Sequence, residues 1–397
     1  MQTVILAAGE GSRMLPLTDA VSKPLLPVGD RPLIDYIARD AVDAGASRLI
    51  IVVGKNAGDV RDYFGTDFRG VPVTFAVQTE RAGTAHALLS ARPELDAGPV
   101  AVLNGDIMVD GNGIETLYQT VPAVGAARVE NPSAYGVLEL GAEDCVAGII
   151  EKPASPPSNL VNAGAYTFPD GSLGRLDEIE RSERGEYELT DLLDEICLEH
   201  DVTAVDFSRW LDVGRPWELL AAMEWRLAEL ERSIEGAVDP AANLVGSVVV
   251  EPGAEIREGV TIEGPALVEA GATIGPNAYV RGTSSIGPNA HVGHAVEVKN
   301  SLLFEGATVG HQSYVGDSLL GADVNLGAGT NVANLRHDGE SIVTTVKGER
   351  VTTDRRKYGA VFGPNVKTGI NTSVNAGVVL PSGTKTRPGE VLLRDPD

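Results

Sequence analysis

The stretch VVVEPGAEIREGVTIEGPALVEAGATIGPNAYVRG, residues 248–282, repeats every six residues. Aliphatic side chains fall at Val250, Ile256, Ile262, Val268, Ile274 and Val280, and the series continues through Ile286, Val292 and Val298. Four residues after nearly every one stands a small or compact residue: Ala254, Val260, Ala266, Ala272, Ala278, Ser284, Ala290 and Val296. Gly253, Gly259 and Gly271 occupy turn positions between them. Such a period predicts a left-handed parallel β-helix, three hexads to a triangular coil, with the aliphatics stacked inside. The register resumes at Phe362, Thr368, Val374 and Leu380. Between about 331 and 358 it fails, which predicts an insertion projecting from the coil.

Upstream the pattern changes. Short apolar runs at residues 3–7, 49–53 and 100–103 alternate with amphipathic stretches such as 33–44. Strands separated by helices imply βαβ units and a mostly parallel, Rossmann-like α/β sheet. Ligands in such sheets gather at the carboxyl ends of strands. Residues 216–234 have helical spacing behind Pro216, with Leu219, Met223 and Leu227 as a packing stripe. The expected organisation is therefore an α/β domain over 1–214, a connecting helix over 215–235 and a β-helix over 236–397.

Composition narrows the function. The 397 residues carry a formal charge of −24, from 56 acidic and 32 basic side chains. That field repels phosphate backbones and anionic lipid, which argues against a nucleic-acid or membrane partner, yet it leaves room for a small anion in a locally basic pocket. Only eight of the basic residues are lysines. An acid-rich, lysine-poor surface suits a salt-adapted cytoplasm. Cys145 and Cys197 cannot form a disulfide framework, and the N-terminus reads as a strand entering a glycine loop rather than a signal peptide. The expected location is cytoplasmic.

Two constellations carry chemistry. The first is LAAGEGSRMLPLT at 6–18 followed by SKPLLPV at 22–28. Its glycines allow close backbone approach to a triphosphate, so Ala7, Ala8, Gly9 and Gly11 are expected to cradle the nucleotide. Arg13 and Lys23 add positive charge where pyrophosphate would leave. This segment resembles sugar-1-phosphate nucleotidylyltransferases, and further motifs follow in the family's order. The resemblance implies that Gln78, Gly83 and Thr84 read the base. Asp106 and Asp212 would ligate Mg²⁺, whose preference for oxygen suits two aspartates plus phosphate. Gly136, Glu151, Lys152 and Asn162 would line the sugar pocket. Gly83-Thr84 favours UTP, whereas Asp212 and the 185–191 segment favour dTTP. No protein nucleophile is needed when positioning and charge neutralisation carry the transfer.

The second constellation decorates the hexads with polar groups that a coil does not need: Arg281, Lys299, His311, Tyr314, Asn325 and Asn334. This half resembles the acetyltransferase domain of bifunctional N-acetylglucosamine-1-phosphate uridylyltransferase/glucosamine-1-phosphate acetyltransferases, in their archaeal layout. The resemblance makes His311 the general base. It gives the sugar phosphate to Arg281 and Lys299, the sugar to Tyr314, Asn325 and Asn334, and acetyl-CoA to Ala328. A neutral imidazole, with a free pKa of about 6.5, can take an amine's proton as it attacks a thioester, and two cations suit a phosphate monoester. Leu335 departs from the bacterial tyrosine, and residues 336–357 replace the bacterial stretch. His291 and His294 read as incidental.

The leading expectation is a two-site enzyme using acetyl-CoA, UTP or dTTP and Mg²⁺. It competes with a monofunctional glucose-1-phosphate thymidylyl- or uridylyltransferase whose β-helix only oligomerises, and with a scaffold related to translation-initiation exchange factors. A scaffold needs none of Arg13, Lys23, Asp106 and Asp212. A homotrimer is expected through the coil, with residues 302–304 as an exposed apolar edge.

Overall fold

The computed structural model describes residues 1–55, 57–141, 145–182 and 185–396. The chain divides into two compact units. The first holds Met1–Glu10, Ser22–Leu25 and Leu33–Asp212, and the second holds Gly11–Val21, Leu26–Pro32 and everything from Val213.

The first unit is built on one long sheet. Its strands are β1 (Gln2–Leu6), β2 (Arg48–Val53), β3 (Val71–Val77), β4 (Val100–Asn104), β6 (Ala123–Arg128), β7 (Gly136–Leu140), β8 (Cys145–Glu151), β9 (Leu160–Phe168) and β10 (Val202–Asp206). The order is β7-β8-β10-β6-β9-β4-β1-β2-β3, with Asp67–Phe68 at the far edge. The segment β4-β1-β2-β3 is parallel, as the buried apolar runs predict. Beyond it the sheet is mixed: β9 runs antiparallel to both β4 and β6, and only β6 and β10 are parallel. The expectation of a mostly parallel sheet therefore holds for the β4-β1-β2-β3 half alone. Helices α1 (Leu33–Asp43), α2 (Gly58–Phe64) and α4 (Gly113–Gln119) cover one face through Ile34, Ile37, Val60, Phe64, Ile114 and Leu117. The other face is covered by α3 (Thr84–Ala91) and α5 (Leu189–Cys197), through Leu88, Leu192 and Leu193.

The second unit is a left-handed parallel β-helix of three sheets. Val248 pairs with Ala266 and Ala266 with Ser284, an 18-residue step that is three hexads. All nine aliphatics from Val250 to Val298 lie in one buried core, stacked in three columns, one for each sheet. Phe362, Val374 and Leu380 extend that core. Thr368 is also buried, its hydroxyl bonded to that of Thr330 at 2.8 Å. Coil corners require left-handed backbone, and one corner column reads Gly253, Gly271, Asn289, Gly306, Asp323, Asn365 and Gly383, all with φ between 56° and 84°. Glycine, asparagine and aspartate are the residues that visit this region at least cost.

Three local expectations change. Helix α6 spans Pro216–Glu229 and stops short of 234, because Leu230 is extended and Ser233–Ile234 already pairs with Val249–Val250 as the first rung. Leu219, Met223 and Leu227 are buried, as the stripe predicts. The segment after Asn331–Val332 is a hairpin of Val343–Val346 with Glu349–Thr352, folded back rather than free: Thr344 bonds Gly377, and Arg355 pairs with Glu224 of α6. Leu302, Leu303 and Phe304 are buried within the chain, so they form no exposed edge.

Candidate active sites

In the first unit, β5 (Ile107–Val109) and β11 (Trp210–Asp212) form a two-stranded antiparallel ribbon. Asp212 pairs with Ile107, which brings it beside Asp106 although 106 residues separate them in sequence. Lys23, almost wholly buried, forms an ion pair with Asp106. Two hard carboxylates on one rigid ribbon suit Mg²⁺, which keeps open positions for phosphate oxygens and water. Among the described residues no group of three or more His, Cys, Asp or Glu is placed to hold a metal.

The residues expected to read the base meet at the start of α3. Gln78 is buried and donates from Nε2 to the carbonyl of Gly83 at 3.0 Å, with His86 Nδ1 at 3.3 Å. Gly83 has φ 114°, and a Cβ there would lie 2.6 Å from the amide nitrogen of Tyr187. Only glycine fits. Thr84 Oγ1 accepts from the Leu189 amide at 2.8 Å, which locks the 185–191 segment onto this turn. Gln78 also lines a cavity of about 590 Å³ with Glu10, Gly54, Lys55, Thr79 and Arg81. Sequence reasoning missed Lys55 and Arg81. Arg81 pairs with Glu10 and donates to the carbonyl of Ala8 at 3.3 Å.

The residues expected to line the sugar pocket lie on neighbouring strands of the same sheet. Gly136 pairs with Glu151 across β7 and β8, and the Lys152 amide donates to the carbonyl of Tyr135 at 3.0 Å. Tyr135 packs edge-on against Trp210, whose indole donates to Ala163 at 2.9 Å. Asn162 turns the neighbouring loop by accepting from the Gly164 amide at 3.0 Å. Ala7, Ala8 and Gly9 follow β1 in the same unit, and the Ala7 amide is tied to Val52 at 2.8 Å. Gly11 and Arg13 belong to the second unit, where the Arg13 guanidinium lies over Gly214.

On the β-helix, one sheet stacks Tyr279–Arg281, Glu297–Lys299 and Tyr314–Gly316 in register. Arg281 therefore sits beside Lys299, and Glu297 beside Tyr314. Each cation has an acid: Arg281 Nε donates to Glu297 at 2.7 Å, and Lys299 Nζ to Asp317 at 2.7 Å. Burial of the second pair is close to complete, with Asp317 3% exposed. Removing one partner of such a pair typically costs about 3–5 kcal/mol. Asn334 donates to the Tyr314 hydroxyl at 3.0 Å and also to Asp317. Gly316 makes room for that meeting, since a Cβ there would lie 2.5 Å from the Tyr314 hydroxyl and 2.6 Å from Asn334 Nδ2. Burial and the nearby Asp317 carboxylate hold the Tyr314 phenol above its usual range.

His311 is exposed at the end of Thr308–His311, separated by two residues from the Tyr314 strand, and in register with His294. Its carbonyl accepts from the Gly329 amide at 3.1 Å, which places Ala328 on the next coil beside it. Asn325 is exposed on the same sheet as His311, paired with Thr308. His291 is half-buried and bonded to Thr273 at 2.7 Å; burial, Arg257 and His311 all push its pKa down.

The family model described as nucleotidyl transferase matches residues 2–229, the α/β sheet with its ribbon and the helix that follows. A model described as the GMPPB C-terminal domain matches residues 262–386. A putative glucose-1-phosphate thymidylyltransferase from Bacillus anthracis, solved with sucrose, superposes with a TM-score of 0.54 at 27% identity, covering 59% of this chain and 98% of that one. Two relatives span the whole chain. The bifunctional protein GlmU of Methanococcus vannielii is 36% identical over 100% of this chain and 95% of its own. The bifunctional sugar-1-phosphate nucleotidylyltransferase/acetyltransferase of Sulfurisphaera tokodaii is 37% identical over 100% and 98%. The chain belongs to this family of bifunctional sugar-1-phosphate nucleotidylyltransferase/acetyltransferases.

Proposed function

We propose that the protein acetylates glucosamine 1-phosphate on its β-helix and joins the resulting N-acetylglucosamine 1-phosphate to UTP in its first unit, releasing pyrophosphate. The observation that carries this reading is the stacking of Arg281, Lys299, Tyr314 and Asn334 on one face of the coil, beside His311. A coil that only oligomerised would need no such cluster. Full-length relatives named as bifunctional favour it over the monofunctional alternative.

In acetyl transfer, Arg281 and Lys299 hold the sugar phosphate, and Tyr314, Asn325 and Asn334 orient the ring. His311 takes the proton from the amine as its nitrogen attacks the thioester carbon; the C–S bond breaks and the sulfur leaves as CoA thiolate. Ala328, small and next on the coil, leaves space for acetyl-CoA. In the second reaction a phosphate oxygen of the sugar attacks the α-phosphorus of UTP in line. Ala7, Ala8, Gly9 and Gly11 cradle the triphosphate, Arg13 and Lys23 offset charge on the departing pyrophosphate, and Gln78, Gly83 and Thr84 read the base. Gly136, Glu151, Lys152 and Asn162 hold the sugar. Asp106 and Asp212 would hold Mg²⁺, which supplies charge neutralisation on the phosphates.

The proposal extends to a cytoplasmic homotrimer working in high salt. Among the described residues no helix is long and apolar enough to cross a membrane. Incubation with sugar 1-phosphates, UTP, dTTP and acetyl-CoA, followed by mass identification of products, tests it. UDP-N-acetylglucosamine formed from glucosamine 1-phosphate is the expected product. A nucleotide sugar without any acetylated amino sugar would return the monofunctional reading.

A further inference from the structure

Asp317 stands at a coil corner in left-handed conformation, φ 50°, in a column with Gly282 at 59° and Asn300 at 46°. A corner needs only a residue that tolerates this backbone, and glycine or asparagine serves in the two coils below. Aspartate at this position is nearly inaccessible to solvent. Its burial is offset by three donors. Oδ2 accepts from Lys299 Nζ at 2.7 Å and from Asn334 Nδ2, and Oδ1 accepts from Asn300 Nδ2 at 2.9 Å.

The chain of contacts continues away from the site. Asn300 Nδ2 also donates to Glu224 of α6 at 2.8 Å. Glu224 accepts the Arg355 guanidinium, which donates in turn to the carbonyl of Trp217 at 3.4 Å. Helix, hairpin and coil are thus tied to one carboxylate. Lys299 and Asn334 arrive from different coils and meet at this one carboxylate oxygen.

We infer that Asp317 is the positioning residue of the amino-sugar site: it holds Lys299 and Asn334 as one unit, and Asn300 and Glu224 anchor that unit to α6. The inference rests on the reading that Lys299 and Asn334 bind glucosamine 1-phosphate. Asp317 itself faces their nitrogens and does not touch the reacting atoms.

Asparagine keeps the left-handed backbone and the size but turns an NH₂ toward donors, so Asp317→Asn is the informative variant. It should lower kcat/KM for acetyl transfer to glucosamine 1-phosphate about tenfold or more, with nucleotidyl transfer to N-acetylglucosamine 1-phosphate unchanged. A double-mutant cycle then separates positioning from mere stability. Lys299→Ala should cost much less in the Asp317→Asn background than in the wild type, because an unheld lysine has little left to lose. Strictly additive losses, or an unchanged kcat/KM in Asp317→Asn, would overturn the inference while leaving the site reading intact. Wild-type protein that transfers no acetyl group would overturn both. Glu224→Gln covers the case in which Asp317→Asn fails to fold. It keeps the helix and weakens the far anchor, and should reduce acetyl transfer severalfold; no change in that variant counts against the inference.

Discussion

The ammonium of Lys23 is paired with the carboxylate of Asp106, and the lysine side chain is only 9% exposed. A cation beside one proposed metal ligand holds that aspartate in place before substrate arrives. Asp106→Asn should therefore abolish Mg²⁺-dependent pyrophosphate release and leave acetyl transfer intact. A coupled pyrophosphate assay and an acetyl-CoA assay on the same preparation check this. Loss of both activities in folded protein would contradict the separation of the two sites.

His311 separates an acetyltransferase from a spacer. His311→Ala should lower acetyl transfer by about 10² to 10⁴, the usual range for an acid–base residue. Nucleotidyl transfer to preformed N-acetylglucosamine 1-phosphate should continue at the wild-type rate. Equal acetyl transfer by the variant would remove His311 from the mechanism.

Glu269 gives a pH signature in stability. Burial, with Glu251, Asp30 and Glu305 nearby, pushes its carboxyl up to about 8. Below the unfolded value of about 4.5 the group is protonated in both states and contributes its full effect. As pH rises towards 8 only the unfolded chain readily gives up the proton, so stability falls across this window. Glu269→Gln removes the ionisation. The variant should gain several degrees in Tm over wild type at pH 9 and much less at pH 5, by calorimetry at fixed salt.

Assembly is open to a direct measurement. Ile370, Val391 and Leu393 are exposed apolar residues on the coil, 53%, 60% and 73% accessible. Light scattering in high salt should give about three times the chain mass of 41.5 kDa. A mass of one chain would exclude the trimer.

Salt should matter to folding. At −24 the folded chain repels itself, and a Debye length of about 10 Å at 0.1 M leaves much of this unscreened. The melting temperature should climb between 0.1 M and 3 M KCl; a flat profile would refute salt adaptation.

The β-helix was legible because each coil repeats the same packing problem. Every sixth side chain points into the same narrow core, and Val250 through Val298 answer it identically. Motifs also announced Asp106 and Asp212, but their meeting depends on the register of a ribbon between distant strands, which no local pattern encodes. Residues 302–304 misled for a related reason. Their apolar character was visible, while the packing of α6 against the neighbouring Ser284–Ile286 strand was not. Asp317 was overlooked because its partner Lys299 lies 18 positions earlier, one coil below. Stacking the hexads in threes would have set the two side by side.

The hairpin between Val332 and Val361 has a bearing on how such enzymes diversify. Leu319 pairs directly with Val361 and Asn331 with Ser373, so the ladder closes across the excursion as though nothing had been inserted. In a stack where each rung meets only its neighbours, added chain at a corner shifts no other rung. Chain beside Asn334 can therefore be lengthened, shortened or rewritten with the load-carrying stack unaltered.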